Sequence, residues 1–188
     1  MAEVEQKKGL EGVVIADTQL SKVEGDVGRL TYRGYNILDL AENATYEEVV
    51  YLLWNGKLPT RSELKKFRDA LIADMPLPTF MLDLLKQFPI NANPMAVLRT
   101  AVSALGLYDP LADDNSMHAN VRKAQYLTAR IPTIIAAWGR IRGGKDPLAP
   151  RPELGFAANF LYMLRGKDPT PDEVAALDVY LVLLADHG

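Results

Sequence analysis

The sequence predicts a mainly α-helical, multi-helical fold with a small antiparallel β-unit at its N-terminal end. Signals that start and stop helices recur from residue 36 onward, whereas the first 35 residues contain β-branched and alternating stretches separated by turn residues. Hydrophobic residues make up 48% of the 188 residues and charged residues 24%, which is typical of a folded domain. We therefore expect residues 1–35 to form an N-terminal segment with the β-unit and residues 36–188 to form a helical portion.

The β-unit is predicted from four consecutive patterns. Gly12–Thr18 is rich in β-branched side chains, and Gln19–Glu24 partly alternates between apolar and polar residues. Gly25–Gly28 supplies turn residues, after which Arg29–Tyr35 alternates again. Alternating stretches joined by a short turn favour antiparallel pairing.

The first helices are marked by two capping boxes. Thr45 and Thr60 are each followed three residues later by glutamate, so that the hydroxyl and the carboxylate can each satisfy a backbone N–H group at a helix start. These signals predict helices over about 46–55 and 61–74.

The middle of the chain predicts three more helical stretches. A short apolar helix is expected over 79–88, and Asn93-Pro94 provides an N-cap with proline at the first helical position. The helix that follows, 95–107, is apolar on most faces, so we expect it to be buried. A long stretch over 116–142 contains Pro132, which predicts either a kinked helix or two consecutive helices.

Two helices are predicted near the C-terminal end, over 154–165 and 171–186. The second begins at the cap residue Thr170 and is almost wholly apolar until Asp186 and His187. An apolar helix whose polar residues arrive together at its final turn indicates an element buried in a larger body. We therefore expect the chain to be a truncated part of a longer protein.

Composition excludes several classes of function. The formal net charge is −3, so the chain lacks the basic surface that binding to nucleic acid requires. It contains no cysteine, which excludes a disulfide framework, thiolate metal sites and cysteine nucleophiles. No apolar run reaches the roughly 18 residues of a spanning helix, and residues 1–9 do not form a signal peptide. We expect a cytoplasmic protein with neither a nucleic-acid nor a membrane partner.

The segment Gly139–Lys145 has the G-x-x-x-x-G-K spacing of a phosphate-binding loop. However, Asp146 stands where a Ser or Thr hydroxyl should meet magnesium, and the segment leaves a helix instead of joining a strand to one. The pattern is better explained as a glycine-rich helix end with basic residues in its last turn, where the helix dipole favours them.

Only two histidines, His118 and His187, could act as metal ligands, so a metal site is not predicted. His118 lies in a polar stretch and is expected to be a solvated surface residue. His187 follows Asp186 at the end of an apolar helix, where an imidazolium could hold an anionic ligand through a charge-assisted hydrogen bond. From the local sequence alone, helix capping by His187 is the alternative.

Several segments resemble the citrate synthase family in order and content, and 2-methylcitrate synthases share many of them. The segments are Gly9–Val14, Arg29–Tyr35, Asp39–Ala44, Tyr51–Trp54, Pro94–Ala101, Asn159–Leu164 and Ala185–Gly188. The resemblance implies the N-terminal part of the family's large domain, truncated before the small domain. It also implies a homodimer whose interface is lined by the helices near 95–107 and 116–142.

The implied reaction of the parent enzyme is condensation of acetyl-CoA with oxaloacetate and water to give citrate and CoA. Acetyl-CoA is a co-substrate, and no cofactor is bound permanently. His187 matches the family's oxaloacetate-binding histidine, and Lys8 stands where many relatives have an arginine that could approach a CoA phosphate, with a solvated lysine as the alternative. The family's catalytic His, His and Asp lie beyond the A-D-H segment, so this chain alone is expected to be inactive. The alternatives are a fragment of a 2-methylcitrate synthase and a naturally short, non-catalytic helical dimerisation or binding module.

Overall fold

The computed structural model describes Gly9 and residues 16–187. Lys8 and the first part of the predicted strand region, residues 12–15, lie outside them. The strands are β1 (Ser21–Glu24), β2 (Arg29–Tyr32) and β3 (Tyr35–Asn36), and the helices are α1 (Ile37–Asn43), α2 (Tyr46–Asn55), α3 (Arg61–Asp74), α4 (Thr79–Gln87), α5 (Pro94–Leu107), α6 (Met117–Arg142), α7 (Phe156–Arg165) and α8 (Pro171–Leu183). The prediction of a mainly helical fold with a small antiparallel sheet is confirmed.

The sheet is a meander in the order β1-β2-β3, with both pairs antiparallel. Tyr32 at the end of β2 pairs with Ser21 on one side and Tyr35 on the other. The two residues between β2 and β3 both have positive φ, 49° at Arg33 and 88° at Gly34. Such a two-residue turn matches the twist of antiparallel strands, and glycine adopts this conformation without steric cost.

Two features toward the N-terminal end differ from the prediction. The strand expected over Gly12–Thr18 is not found in its described part, residues 16–18, which is irregular. The Thr18 hydroxyl accepts a hydrogen bond from the Leu20 N–H at 3.1 Å, a local turn that competes with strand pairing. Helix α1 was not predicted by its own signal; its N-cap is Asn36, whose side chain accepts from the Leu38 N–H.

The helix starts follow the predicted caps. The capping boxes at Thr45 and Thr60 are both formed, with each hydroxyl accepting from a backbone N–H and each partner glutamate accepting in return. The same arrangement occurs at Thr170, and Asn93 caps α5 ahead of Pro94. The predicted starts of these four helices are confirmed because the signals are local.

Helix α6 is one continuous helix of 26 residues, so of the two alternatives expected for 116–142, a kinked helix or two consecutive helices, the second is excluded. It packs against α3, α4, α5 and α7, and these contacts stabilise the helix around Pro132. A Cβ at Gly139 would lie 2.8 Å from the Leu164 side chain, so the glycine lets α6 approach α7 closely. The helix ends with basic residues in its last turn and Gly143 as its C-cap. The interpretation of Gly139–Lys145 as a helix end is therefore confirmed.

The core consists of three clusters between the helices. The first joins α4, α5 and α6, the second joins the sheet to α1, α2 and α8, and the third lies around α3, α6 and α7. Helix α5 buries one face only: Val97 and Ala101 are enclosed, whereas Met95 is 70% exposed. The expectation that this helix is buried is therefore confirmed for one of its faces only. Among the described residues, none of the helices is both long enough and apolar enough to cross a membrane.

Thr60 and Thr100 are both exposed, and alanine substitutions at these two positions distinguish loss of a helix cap from a change in helix propensity. The Thr60 hydroxyl accepts from the Glu63 N–H at 3.3 Å, so Thr60→Ala should lower the free energy of unfolding by about 1 kcal/mol. Thr100 lies inside α5 with its hydroxyl bonded to the Ala96 carbonyl. Because alanine is the better helix former, Thr100→Ala should cost nothing. Urea denaturation measures both, and equal losses would contradict the assignment of Thr60 as a cap.

Candidate functional site

Helix α8 ends earlier than the sequence predicts, and His187 lies beyond its last turn. The predicted helix over 171–186 is wrong at its end, because the structure closes it at Leu183. The Leu184 N–H still donates to the Tyr180 carbonyl at 3.2 Å, four residues back as in an α-helix. The Ala185 N–H donates to the Val182 carbonyl at 3.3 Å, only three residues back, so the chain tightens there.

The hydroxyl of Tyr32 accounts for this early end. It donates to the Leu183 carbonyl at 2.9 Å and accepts from the backbone N–H groups of Asp186 and His187, each at 3.3 Å. In a continuing α-helix the His187 N–H would itself donate to the Leu183 carbonyl. The hydroxyl therefore lies between two groups that would otherwise bond to each other, and it diverts the chain from the helix.

The β2–β3 turn holds Tyr32 in place. The Tyr32 side chain is fully buried, with 0% of its surface exposed. The next residue, Arg33, donates from Nε and Nη2 to the Leu53 carbonyl in the last turn of α2, at 3.2 and 2.8 Å. Its own N–H donates to the Leu20 carbonyl at 2.8 Å. One short turn thus fixes the C-terminal ends of both α2 and α8.

The side chain of His187 is exposed, and so is that of Asp186. The helix dipole has its effect within the last turn of a helix. Because α8 stops at Leu183, the imidazole lies beyond that turn. The expectation that the dipole favours an imidazolium is therefore weakened. An exposed imidazole can still donate a charge-assisted hydrogen bond to an anion.

Of Lys8 and His118, the other residues singled out from the sequence, only His118 lies in the described part of the chain. Lys8 lies outside the described residues. His118 is exposed in the first turn of α6, at the surface as predicted. Within residues 16–187, no group of three or more His, Asp or Glu side chains is arranged to hold a metal ion.

A second polar cluster surrounds Glu47, a carboxylate that is only 3% exposed. One carboxylate oxygen lies 3.1 Å from the Arg68 Nε and accepts from the Phe156 N–H at 3.1 Å. A Cβ at Gly155 would lie 2.7 Å from the Arg68 guanidinium, so any larger residue there would displace the guanidinium. This contact joins α2 and α3 to the start of α7, beside a cleft of about 540 Å³.

Asp178 ties α8 to the same cluster. Both of its carboxylate oxygens lie 3.2 Å from the Tyr46 backbone N–H at the start of α2. Burial raises the pKa of Asp178 above its ordinary value, and the Glu47 carboxylate adds to the rise, although the Tyr46 N–H and the Arg68 guanidinium oppose it. Helix α8 is thus held at Asp178 and again at Leu183.

Asn159 organises the loop that forms one wall of the cleft. Its fully buried side chain accepts from the Arg151 N–H at 2.8 Å and donates to the carbonyls of Arg151 and Leu154 at 2.9 and 3.0 Å. All three contacts are to backbone, so the amide replaces the hydrogen bonds that an irregular loop cannot make with itself.

Sequence reasoning did not single out Tyr32, Glu47 or Asn159. Each has a weak signal, since Glu47 and Asn159 are polar residues within apolar helical stretches and Tyr32 lies inside one of the segments that resemble a family. Burial decides their roles, and burial depends on packing between distant segments.

The chain is similar to known proteins over almost its whole length. The family model described as "Citrate synthase, C-terminal domain" matches residues 9–188. Citrate synthase of Haloferax volcanii is 47% identical over 98% of this chain and 50% of its own length. Citrate synthase 2 of Bacillus subtilis is 45% identical over 96% and 48%, and 2-methylcitrate synthase of Mycobacterium tuberculosis is 45% identical over 97% and 46%.

Solved structures agree on the fold. The crystal structure of citrate synthase from Pyrobaculum aerophilum matches with a TM-score of 0.89 and 38% identity, over 95% of this chain and 47% of that one. Citrate synthase from Thermoplasma acidophilum, in a ternary complex with carboxymethyl coenzyme A and oxaloacetate, matches with a TM-score of 0.88 and 28% identity, over 96% and 47%. The chain belongs to the citrate synthase family, and it spans about half the length of the curated relatives it matches.

The Glu47–Arg68 pair should respond unequally to loss of its two partners. Arg68→Met leaves a buried carboxylate without its cation and should lower the free energy of unfolding by about 3 kcal/mol. Glu47→Gln keeps an acceptor for the Phe156 N–H and leaves a half-exposed guanidinium to water, so it should cost about 1 kcal/mol. Urea denaturation of both variants checks the order, and a Glu47→Gln loss as large as that of Arg68→Met contradicts it.

Asp178 should make stability depend on pH in a defined direction. Because its pKa is raised on folding, the protonated form favours the folded state. That contribution is complete below the ordinary aspartate pKa of about 3.9 and is lost as the pH rises through the raised value. Asp178→Asn keeps an acceptor for the Tyr46 N–H without ionising, so it should be the more stable protein at pH 7, with the difference vanishing near pH 3. Thermal melts across this range measure it, and a difference that grows on acidification contradicts the sign.

Proposed function

We propose that this chain forms part of the large domain of a citrate synthase and supplies His187 to bind oxaloacetate. The observation that carries the proposal is the Tyr32-held turn after α8, which presents an exposed imidazole within the Ala185-Asp186-His187 segment. Oxaloacetate carries carboxylates, and an imidazole N–H can donate a charge-assisted hydrogen bond to such a group. Membership of the citrate synthase family supports the assignment.

The proposed reaction is a Claisen condensation followed by hydrolysis. A base removes a proton from the methyl group of acetyl-CoA, the enol carbon attacks the oxaloacetate carbonyl, and water cleaves the resulting thioester to release citrate and CoA. By resemblance, the His, His and Asp that perform these steps belong to segments that this chain does not contain. We therefore propose that His187 positions the acceptor and that the chain alone does not turn over.

Further parts of the proposal concern the co-substrate and the partner subunit. Acetyl-CoA is the proposed co-substrate, no cofactor is bound permanently, and contact of Lys8 with a CoA phosphate stays a prediction. A homodimer through α5 and α6 is supported by large apolar side chains that these helices leave exposed: Met95 at 70%, Leu107 at 85% and Met117 at 78%. The cytoplasmic location expected from the sequence stays a prediction.

The division into an N-terminal segment, 1–35, and a helical large-domain portion, 36–188, is likewise proposed. An apolar groove of about 420 Å³ between α6, α7 and α8 supports the assignment of the helical portion to part of a larger domain. Apolar helix surfaces of this kind require cover from other elements. We propose that further helices of the longer family protein provide that cover.

A chimaera tests the function. Residues 1–188 are joined to the half of Bacillus subtilis citrate synthase 2 that they do not match, a protein to which this chain is 45% identical. The chimaera should release CoA from acetyl-CoA in the presence of oxaloacetate, whereas the chain alone should not. His187→Asn in the chimaera should raise the KM for oxaloacetate about tenfold, because a hydrogen bond to a charged group is lost.

The matched control is His118→Asn, which alters the other histidine of this chain and should leave the KM unchanged. Propionyl-CoA is assayed in parallel, since a clear preference for it would indicate a 2-methylcitrate synthase. Turnover by the chain alone, or an oxaloacetate KM that does not respond to His187→Asn, contradicts the proposal.

A further inference from the structure

We propose that Tyr32 is a positioning residue for His187, whose hydroxyl sets the direction in which the turn after α8 presents the imidazole to oxaloacetate. This inference rests on the proposed function. Tyr32 is fully buried, and it acts through the backbone of the residue proposed to contact the ligand.

The Tyr32 hydroxyl uses all of its hydrogen-bonding capacity on the turn after α8. A phenol group offers one donor and accepts through its lone pairs. Here the donor goes to the Leu183 carbonyl, and the N–H groups of Asp186 and His187 both donate to the oxygen. Because the His187 N–H is itself held, the peptide plane that precedes the imidazole has a defined orientation.

Removing the hydroxyl would open a competing conformation. The Leu183 carbonyl and the His187 N–H are spaced for an α-helical hydrogen bond, and with the oxygen gone they are free to form it. Each added helical residue rotates the chain by about 100° and advances it by about 1.5 Å. Extension of α8 through His187 would therefore turn the imidazole away from its present direction.

Tyr32 is suited to this role because its own position is rigid. It pairs with Ser21 and Tyr35 on its two sides, and its ring is enclosed in the cluster between the sheet and α1, α2 and α8. The bond from Arg33 to the Leu53 carbonyl fixes the adjoining turn. A binding residue on a turn is more precisely placed when buried groups of a strand support it.

Tyr32→Phe isolates the hydroxyl, since it keeps the buried ring and removes one oxygen atom. In the full chain, hydrogen exchange followed by NMR should show the Asp186 and His187 amides exchanging about fivefold faster or more, because the helical bonds that would replace the hydroxyl lie in a terminal turn that frays. The imidazole signals of His187 should shift while those of His118 stay in place. Tyr46→Phe is the matched control, because the Tyr46 ring packs on the same cluster and its contact to Asp178 comes from the backbone.

If the Tyr32 hydroxyl served stability alone, its removal would lower the melting temperature without changing the KM for oxaloacetate. In the chimaera described above, Tyr32→Phe should therefore raise the KM for oxaloacetate about fivefold while the KM for acetyl-CoA stays the same. Tyr46→Phe should change neither. If Tyr32→Phe does not fold, Arg33→Gln loosens the same turn without touching the hydroxyl, and it should speed exchange at His187 in the same direction.

Unchanged exchange at Asp186 and His187, or an oxaloacetate KM that does not move, overturns the inference. Failure of the proposed function gives a different result: the unmodified chimaera then makes no citrate. In that case the exchange rates in the chain alone decide whether Tyr32 holds His187.

Discussion

The buried carboxylate of Glu47 is the constraint on which the helical packing depends. A charge that is almost fully enclosed must be compensated, and here the Arg68 guanidinium and the Phe156 N–H do so. These partners lie on α3 and at the start of α7, and Gly155 leaves room for the guanidinium in its present position. One ion pair therefore sets the relative positions of three helices, α2, α3 and α7.

The proposed oxaloacetate site depends indirectly on this helical packing, through helix α8. Helix α8 is attached through Asp178 to the start of α2 and through Leu183 to the Tyr32 hydroxyl. Because α8 is fixed at two points, the turn that follows it has a defined place relative to the sheet. The exposed His187 owes its position to residues far away in the sequence, which is typical of binding groups carried on short loops.

The sequence predicted those features of the fold that local hydrogen bonding decides. The capping boxes at Thr45, Thr60 and Thr170 predicted the starts of three helices, because a hydroxyl, a carboxylate and nearby N–H groups suffice to form them. The end of α8 was mispredicted, since the apolar pattern continues to Ala185 and nothing local stops it. Helix α1 was also missed, and no strand forms over residues 16–18, the described part of Gly12–Thr18, because short elements depend on their neighbours.

The sequence by itself determined the helical class, most helix starts and the candidate His187, because hydrophobic periodicity, caps and motif order are written along the chain. Only the tertiary structure decided that α8 stops at Leu183, since the hydroxyl responsible comes from Tyr32 in another element. It also decided that Glu47 and Asn159 are buried, which no local pattern reports. The physical reason is the same in each case. A hydrogen bond or a charge–charge interaction between distant segments contributes no free energy until folding has brought the two segments together.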